Sequence, residues 1–365
     1  MTEYEGLQRP HQPDPDALIA NLLRKGTPNR VYHMELFHDG EIRNAIVERF
    51  GLMAGVRRDD PDYEAKKLIA TNRFCGFDHV SVHLADVPWP FHDAVAEDTA
   101  GLKRPGGRSY RDEHAGPITN WEQFKKYPWP DPSTPSATRD LEWFHENLPA
   151  DMCIVCHTGH FCEFLCWLMG YETLCYALYD QRDLVEAIAA KILAFHEAEM
   201  NRYLQFDRVR MIWGSDDMGF KTGLMISADD MRQFVLSGHK RLAETAHAAG
   251  RVYLLHSCGN LTDIIDDLTD DVKIDAKHSF EDTIEDVREV KHTYGRKIGL
   301  IGGIDLDFLC RSDEGSIRKR VRETLDVCLP GGGYCLGSGN SVANYIPLDS
   351  YLAMIDEGWK YSDEH

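Results

Sequence analysis

The stretch RVYLLHSCGN, residues 251 to 260, places an imidazole and a thiol two residues apart at the end of an apolar run. Successive side chains of a β-strand point to opposite faces, so His256 and Cys258 are predicted to share one face. Zinc prefers imidazole and thiolate ligands, and a catalytic zinc site takes three from the protein and leaves one position open. The pair therefore predicts part of a metal site; the alternative is a satisfied polar pair in the core.

A third ligand must come from elsewhere in the chain, and Cys335 is the strongest candidate. It lies in GGGYCLGSGN, where glycines on both sides let the backbone approach an ion closely. In a closed barrel, the strands that carry Cys258 and Cys335 would face each other across a mouth narrow enough to share an ion. The predicted metal ligands are therefore His256, Cys258 and Cys335.

A rival cluster, CIVCHTGHFCEFLC, covers residues 153 to 166 and is rich in cysteine and histidine. A Cys-x-x-Cys pair alone is typical of redox or zinc sites. However, Cys153 and Cys156 are three apart on a predicted strand and so face opposite ways. We interpret the cysteines of this segment as core thiols and expect only His157 to face the site.

The elements that must position these residues alternate between short β-like runs and longer helical patterns, which favours βα units and a parallel sheet. Eight strands predict an α/β fold of the TIM (β/α)8 barrel type, as one domain over residues 1–365. Residues 85–150, rich in Pro, Gly, Trp and Asp, form a long insertion after the second strand and are predicted to pass over the barrel mouth. The predicted strands are 30–37, 79–84, 152–159, 208–217, 252–258, 273–279, 298–305 and 333–340.

Chemistry in such barrels is found at the carboxyl ends of the strands. The predicted catalytic acids are Glu35 and Asp216, which lie near the carboxyl ends of the first and fourth predicted strands. Structural interpretations of these residues remain open. Asp216 in GSDDMG also fits a turn, and Asp217 also fits the N-cap of a helix. The segment after His278 also fits a helix-capping box. The predicted substrate-binding residues, all near strand ends, are His157, Trp213, Asp217, His278, Tyr334 and Asn340.

Composition restricts the class of protein. The 365 residues include 43% hydrophobic and 27% charged residues, ordinary values for a globular enzyme. The formal charge of −20 argues against binding to nucleic acid or to an anionic membrane surface. The N-terminus has no secretion signal pattern and no run of 18 apolar residues occurs, so we predict a cytoplasmic protein whose ten cysteines are reduced.

HSCGN together with GYCLGSGN resembles the cobalamin-dependent methyltransferases of the uroporphyrinogen decarboxylase superfamily. Further similarity lies in VYHMELFHDGEI, SDDMGFKTGLMISADDMRQFV, KIGLIGGIDLDFL and GSGNSVANYIPLDSYLAMIDEG, and it covers most of the chain. The resemblance implies a βα barrel, often a dimer, with zinc held by His256, Cys258 and Cys335.

The resemblance also implies a methyl transfer that involves cobalamin, and two reactions remain open. In the favoured one, a methyl group passes from a small donor, such as a methoxylated aromatic, to cob(I)alamin, and Glu35, Asp216 and Asp217 hold the donor or protonate its leaving oxygen. In the other, zinc activates a thiol of the coenzyme M type that takes the methyl from methylcobalamin. A third alternative is a non-enzymatic binding protein in which zinc only stabilises the fold.

Uroporphyrinogen decarboxylation is disfavoured, because Glu35 and Leu36 stand where such decarboxylases present arginine to their carboxylate-rich substrate. The D-x-H-x-x-G loop of corrinoid proteins is absent: no histidine has Asp two residues before it and Gly three after it. We therefore expect a separate corrinoid protein to dock over the barrel mouth, near the 85–150 insertion.

Overall fold

The structure, a computed structural model, describes residues 4–364 and is built on one parallel sheet. Seven strands form this sheet in the order β1-β4-β5-β8-β9-β10-β11, and β2-β3 and β6-β7 are antiparallel hairpins. The strands are β1 (His79–Val82), β2 (Asp93–Ala96), β3 (Arg108–Arg111), β4 (Cys153–Thr158), β5 (Val209–Ser215), β6 (Gly219–Phe220), β7 (Gly223–Leu224), β8 (Val252–His256), β9 (Ala276–His278), β10 (Gly299–Ile301) and β11 (Tyr334–Cys335). The predicted α/β fold of the TIM type is confirmed.

The strands of the sheet are buried on both faces. Residues of one parity, such as Val155, Met211 and Leu254, share a buried cluster on the concave side. Residues of the other parity, such as Ile212 and Leu255, belong to the larger cluster under the surrounding helices. A strand buried on both faces appears in a sequence as a nearly continuous apolar run. Seven of the strands could therefore be predicted from the sequence.

The remaining predicted strand, residues 30 to 37, is not a regular strand in the structure. It makes isolated parallel bridges, His33 to Leu336 and His38 to Val342. The amide of Met34 donates to Leu336 O at 3.0 Å, and the amide of Leu336 donates to Tyr32 O at 2.8 Å. This extended segment therefore continues the sheet beyond β11 by a few backbone hydrogen bonds.

The helices cover the convex side of the sheet. The predicted helical pattern from residue 183 onward is the 22-residue α8, which buries Leu184, Ile188 and Ile192. Gly250, predicted to end a helix, has φ of +69° just after α10. The helices are α1 (Pro15–Leu22), α2 (Gly40–Phe50), α3 (Tyr63–Phe74), α4 (Trp121–Lys126), α5 (Arg139–Asn147), α6 (Cys162–Met169), α7 (Tyr171–Asp180), α8 (Arg182–Tyr203), α9 (Ala228–Met231), α10 (Ser237–Ala248), α11 (Val287–Thr293), α12 (Leu306–Arg311), α13 (Glu314–Cys328) and α14 (Leu348–Glu364), with a 3-10 turn at Pro135–Thr138 and π-helical turns at Arg232–Leu236 and Asp267–Val272. Across residues 4–364, none of these helices combines the length and apolar character needed to cross a bilayer.

The long insertion between β1 and β4 contains the β2-β3 hairpin and the helices α4 and α5. Arg104, between the hairpin strands, donates two hydrogen bonds to Glu41, at 3.0 and 2.9 Å. Asn344 Nδ2 donates to Asp98 Oδ2 at 2.6 Å. The hairpin region thus contacts the segments that follow residues 30–37 and β11, on the carboxyl side of the sheet.

Candidate metal centre

Three potential ligand atoms meet beyond the carboxyl ends of β5 and β8. His256 Nε2 lies 3.2 Å from Asp217 Oδ1 and 3.6 Å from Cys258 Sγ. All three ligand atoms lie within 4.8 Å of one another. The structure thus places a potential metal-binding group at the strand ends, with Asp217 beside the predicted pair.

Local backbone pairing explains why these three side chains converge. Ser215, the last residue of β5, is in register with His256, the last residue of β8. The amide of Asp216 then donates to His256 O at 3.0 Å, and the amide of Cys258 donates to Asp217 Oδ1 at 2.9 Å. The two neighbouring parallel strands end together, so the residues just beyond them are held side by side.

The separations fit one bound divalent ion. In a tetrahedral zinc site with Zn–N of about 2.0–2.1 Å and Zn–S of about 2.3 Å, ligand N and S atoms lie about 3.5 Å apart. The observed separation of His256 Nε2 and Cys258 Sγ is 3.6 Å. Mixed nitrogen, oxygen and sulfur donors are typical of zinc, and three protein ligands leave a fourth position for a small molecule.

The charges of the group also suit a cation. Burial alone would raise the pKa of Asp217, but hydrogen bonds from His256 and from the Cys258 amide outweigh it and lower the pKa. Burial, followed by the charge of Asp217, raises the pKa of the Cys258 thiol. A coordinating divalent ion deprotonates a thiol outright, so this thiol is the group whose state an ion would change most.

His278 orients the His256 ring. The two Nδ1 atoms lie 2.7 Å apart at the ends of the paired strands β8 and β9. Burial, followed by the neighbouring His256, lowers the pKa of His278 well below its usual value, so this ring is neutral. When the Nδ1–H of His256 donates to His278, His256 Nε2 keeps its lone pair for a metal, the tautomer that ligating histidines require.

Cys335, the expected third ligand, lies elsewhere. Its side chain is fully buried in the concave cluster with Leu18 and Leu22 of α1, and Asn21 Nδ2 donates to its sulfur at 3.6 Å. Extended chain advances about 3.3 Å per residue, so the positions several residues later reach the strand-end rim instead.

Asn340 is the residue after β11 that does reach the site. Its Nδ2 donates to Cys258 Sγ at 3.0 Å, and its Oδ1 accepts from the amide of Ser341 at 2.8 Å. An amide N–H directed at sulfur stabilises a thiolate. Asn340, predicted to bind substrate, therefore contacts a potential metal ligand directly.

Asp216, predicted to be a catalytic acid, serves the helix that follows β4. Its side chain is fully buried, and its oxygens accept from the amides of Phe161, Cys162 and Glu163 at 2.9–3.0 Å. His239 Nε2 lies 3.0 Å from the same carboxylate. With these four contacts, Asp216 fixes the start of α6. Its neighbour Asp217, and not Asp216, is the carboxylate that lies beside His256 and Cys258.

The chain matches a known protein family over most of its length. The uroporphyrinogen decarboxylase (URO-D) family model matches residues 113–361. The chain belongs to the URO-D family. This URO-D family member is similar in fold to a methyltransferase from Methanosarcina mazei, with 18% identity, 94% of this chain and 98% of that chain covered, and a TM-score of 0.67.

Two further structures are similar to this URO-D family member at lower TM-scores. One is a Listeria monocytogenes protein provisionally described as a vitamin-B12-independent methionine synthase, with 12% identity, 91% and 96% coverage and a TM-score of 0.49. The other is xylanase 10B from Thermotoga maritima, with 14% identity, 94% and 99% coverage and a TM-score of 0.44. No curated protein sequence compared with the chain gives a significant match.

Glu35 in this URO-D family member is buried and bound to Ser338. The Ser338 amide lies 2.8 Å from Oε1, and its hydroxyl lies 2.6 Å from Oε2 and 2.8 Å from Asn340 O. Burial raises the pKa of Glu35 to about 8, so the side chain is protonated at neutral pH. A protonated Glu35 donates to the Ser338 hydroxyl, which then donates to Asn340 O; one hydroxyl proton could not serve both oxygens. Glu35 thus positions the Asn340 loop.

Two more predicted residues line the concave side of the sheet, and one does not. The ring of His157 stacks on Trp213, with centroids 5.4 Å apart, and Trp213 contacts His278 edge to face at 5.8 Å. His157 Nε2 is buried without a hydrogen-bond partner among residues 4–364. Tyr334, expected to bind substrate, is fully buried in the cluster under the helices, and its hydroxyl donates to Gly302 O at 3.0 Å.

The sequence interpretation missed Glu163, in the first turn of α6. His160 Nδ1 lies 2.8 Å from its Oε2. Burial, followed by the charges of Asp217 and Asp216, raises the pKa of Glu163 well above its usual value. The four cysteines of this segment are buried, as predicted. The sequence did contain a signal for Glu163: His160 precedes it by three residues at the start of a helix, a spacing that brings the two side chains together.

Proposed function

We propose that this URO-D family member is a zinc-dependent methyltransferase that moves a methyl group from a small donor to the cob(I)alamin of a separate corrinoid protein. The observation that carries the proposal is the convergence of Asp217, His256 and Cys258 at the strand ends. Family membership and the likeness of the fold to a methyltransferase support the reaction class.

The donor class that we propose is a methoxylated aromatic. When bound, zinc would act as a Lewis acid on the ether oxygen, which makes that oxygen a better leaving group. The methyl group would leave as a formal cation to the electron pair of cobalt(I), and the demethylated oxygen would keep the pair of the broken bond and then take a proton. The stacked rings of His157 and Trp213 lie next to His278, which contacts His256, so aromatic side chains pack beside the centre.

The residues around the centre have separate tasks in this proposal. His278 holds the ring of His256 through the contact between their Nδ1 atoms. Asn340 donates to the sulfur of Cys258. Glu35, first expected to be an acid in the reaction, acts through Ser338 on the loop that carries Asn340 and is a positioning residue.

The proposal is tested by mixing the purified, zinc-loaded protein with free cob(I)alamin and a panel of methyl donors under anaerobic conditions. The cobalt absorption spectrum reports methylcobalamin directly. We expect it to form with methoxylated aromatics and to disappear from the H256A and C258S reactions. No methyl transfer with any donor would contradict the proposal.

The alternative reaction is methylation of a thiol by methylcobalamin, and the same spectrum distinguishes it. If methylcobalamin is consumed when a thiol is added, while no methoxylated aromatic generates it, the thiol reaction replaces our proposal. The S-methyl product, identified by mass spectrometry, would then name the acceptor.

A further inference from the structure

A cavity of about 390 Å³ lies between the extended segment after residue 34 and strand β1. Its size is within the 300–1,000 Å³ range of small-molecule sites. It ends at His83, whose ring lies 4.9 Å from that of His157 beside the candidate metal centre. Leu36, His38, Arg43, Leu68 and Phe77 line it.

Arg43, in the first turn of α2, is a cation without a partner in this cavity. No ion pair or hydrogen bond of its guanidinium occurs within the described part of the chain, and its Nε atom is buried and unpartnered. Arg43 also lines an adjoining cavity of about 540 Å³. Arg43 as a whole is only partly buried and only its Nε is fully shielded, so its terminal nitrogens remain accessible to a ligand in the cavity. An anion is the natural partner of this charged group.

The acidic residues of the cavity do not neutralise Arg43. Asp39 lies 3.3 Å from Arg104 and 3.8 Å from Arg108, and it accepts from the amide of Asn344. Glu35 is protonated at neutral pH because burial raises its pKa to about 8. Arg43 therefore keeps a positive charge with no ion-pair partner in the cavity, and this charge would attract an anion.

Three buried aromatic rings also line the cavity. The ring of Phe77 stacks on His38, with centroids 5.4 Å apart, and on His79, at 5.7 Å. Leu68 adds an aliphatic surface. A lining of aromatic and aliphatic side chains next to a guanidinium without an ion pair matches a ring that carries a carboxylate, which arginine binds through two parallel hydrogen bonds.

From these contacts we infer that the cavity binds an aromatic carboxylate, with Arg43 paired to the carboxylate and the ring against Phe77. As a statement about the methyl donor, which would then be a methoxybenzoate, the inference rests on the proposed function. As a statement about binding, it stands on the cavity alone.

Isothermal titration calorimetry with 4-methoxybenzoate, methoxybenzene and inorganic phosphate tests the binding. We expect 4-methoxybenzoate to bind, and R43Q to weaken that binding about 10- to 100-fold, the scale of a lost charge-assisted contact. R43K, which keeps the charge but loses the fork geometry, should fall between R43Q and the unchanged protein. R57Q, at an exposed arginine paired with Asp59, is the matched control and should bind normally. Circular dichroism confirms that each variant is folded.

Three results would overturn the inference: methoxybenzene binding as tightly as 4-methoxybenzoate, phosphate binding as tightly, or folded R43Q and R43K binding without loss. Failure of the proposed function gives a different pattern. In that case 4-methoxybenzoate binds and depends on Arg43, but no donor yields methylcobalamin. Methyl transfer from neutral donors without carboxylate binding would overturn only the inference.

Discussion

The Nδ1 atoms of His256 and His278 lie 2.7 Å apart, at the ends of two neighbouring parallel strands. One atom must donate and the other accept, and the contact leaves His256 Nε2 directed at Asp217 and Cys258. In the proposed centre, His256 would bind the metal and His278 would fix the His256 ring, because a ligating histidine usually donates its second N–H to a fixed acceptor.

Replacing His278 by alanine removes that acceptor. We expect the zinc affinity of H278A to fall about 10- to 100-fold, as is usual when the partner of a ligating histidine is lost. Competition titration with a chromophoric chelator measures the affinity. H292A, at an exposed histidine of α11, is the control and should bind zinc normally. Normal zinc binding by H278A would show that the His256 ring does not need this partner.

Replacing each cysteine in turn separates the two sulfur candidates. C258S should lose most of the zinc affinity, because its sulfur lies in the candidate centre. C335S should bind zinc normally but unfold at a lower temperature, because its side chain lies in the concave cluster. Zinc content after dialysis and a thermal melt give the two readouts. A loss of zinc from C335S would instead support the prediction from the sequence that Cys335 is a metal ligand.

Asp216 is predicted to matter for stability more than for zinc. D216N should lower the free energy of unfolding by about 1–3 kcal/mol, because an amide leaves at least one buried N–H donor without an acceptor. Urea unfolding measures this loss. D229N, at an exposed residue of α9, is the control and should stay within about 0.5 kcal/mol. If D216N were as stable as the unchanged protein, the assignment of Asp216 to the start of α6 would be wrong.

Glu35 predicts a pH dependence of stability. Its folded pKa of about 8 lies above the ordinary value of 4.5, so the folded state holds a proton that the unfolded state releases between these values. Its contribution to stability is complete below pH 4.5 and is lost as pH rises towards 8. E35Q removes this titration, so its stability relative to the unchanged protein should rise by up to about 1.4 kcal/mol per pH unit in that window.

Urea unfolding of both proteins at several pH values between 5 and 8 checks the slope. E48Q, at an exposed glutamate of α2, is the control for an ordinary carboxyl. Parallel stability curves for E35Q and the unchanged protein would mean that Glu35 is ionised in the folded state.

The fold was largely predictable from the sequence because its strands are buried on both faces. Seven apolar runs were located within a few residues of the observed strands. Residues 30 to 37, RVYHMELF, were predicted as an eighth strand because they form a similar short β-like run. In the structure this segment pairs only through bridges such as His33 to Leu336, and local sequence does not reveal how far pairing extends.

The site was only partly predictable, because the strand ends are followed by turns in which strand alternation no longer applies. His256 closes its strand, so its direction could be deduced. Asp216, expected to be catalytic, instead contacts the amides at the start of α6, and Asp217, expected to bind substrate, lies beside His256 and Cys258. Residue type favoured Cys335, but the path of the chain brings Asn340 to Cys258. Which loop residue meets which strand end is set by long-range packing.

The central claim is a zinc ion held by Asp217, His256 and Cys258, and zinc K-edge X-ray absorption of the zinc-loaded protein tests it most directly. Our account predicts one sulfur at about 2.3 Å with nitrogen and oxygen at about 2.0–2.2 Å, and no sulfur scattering in C258S. Two sulfur ligands, or a spectrum that C258S leaves unchanged, would contradict the account.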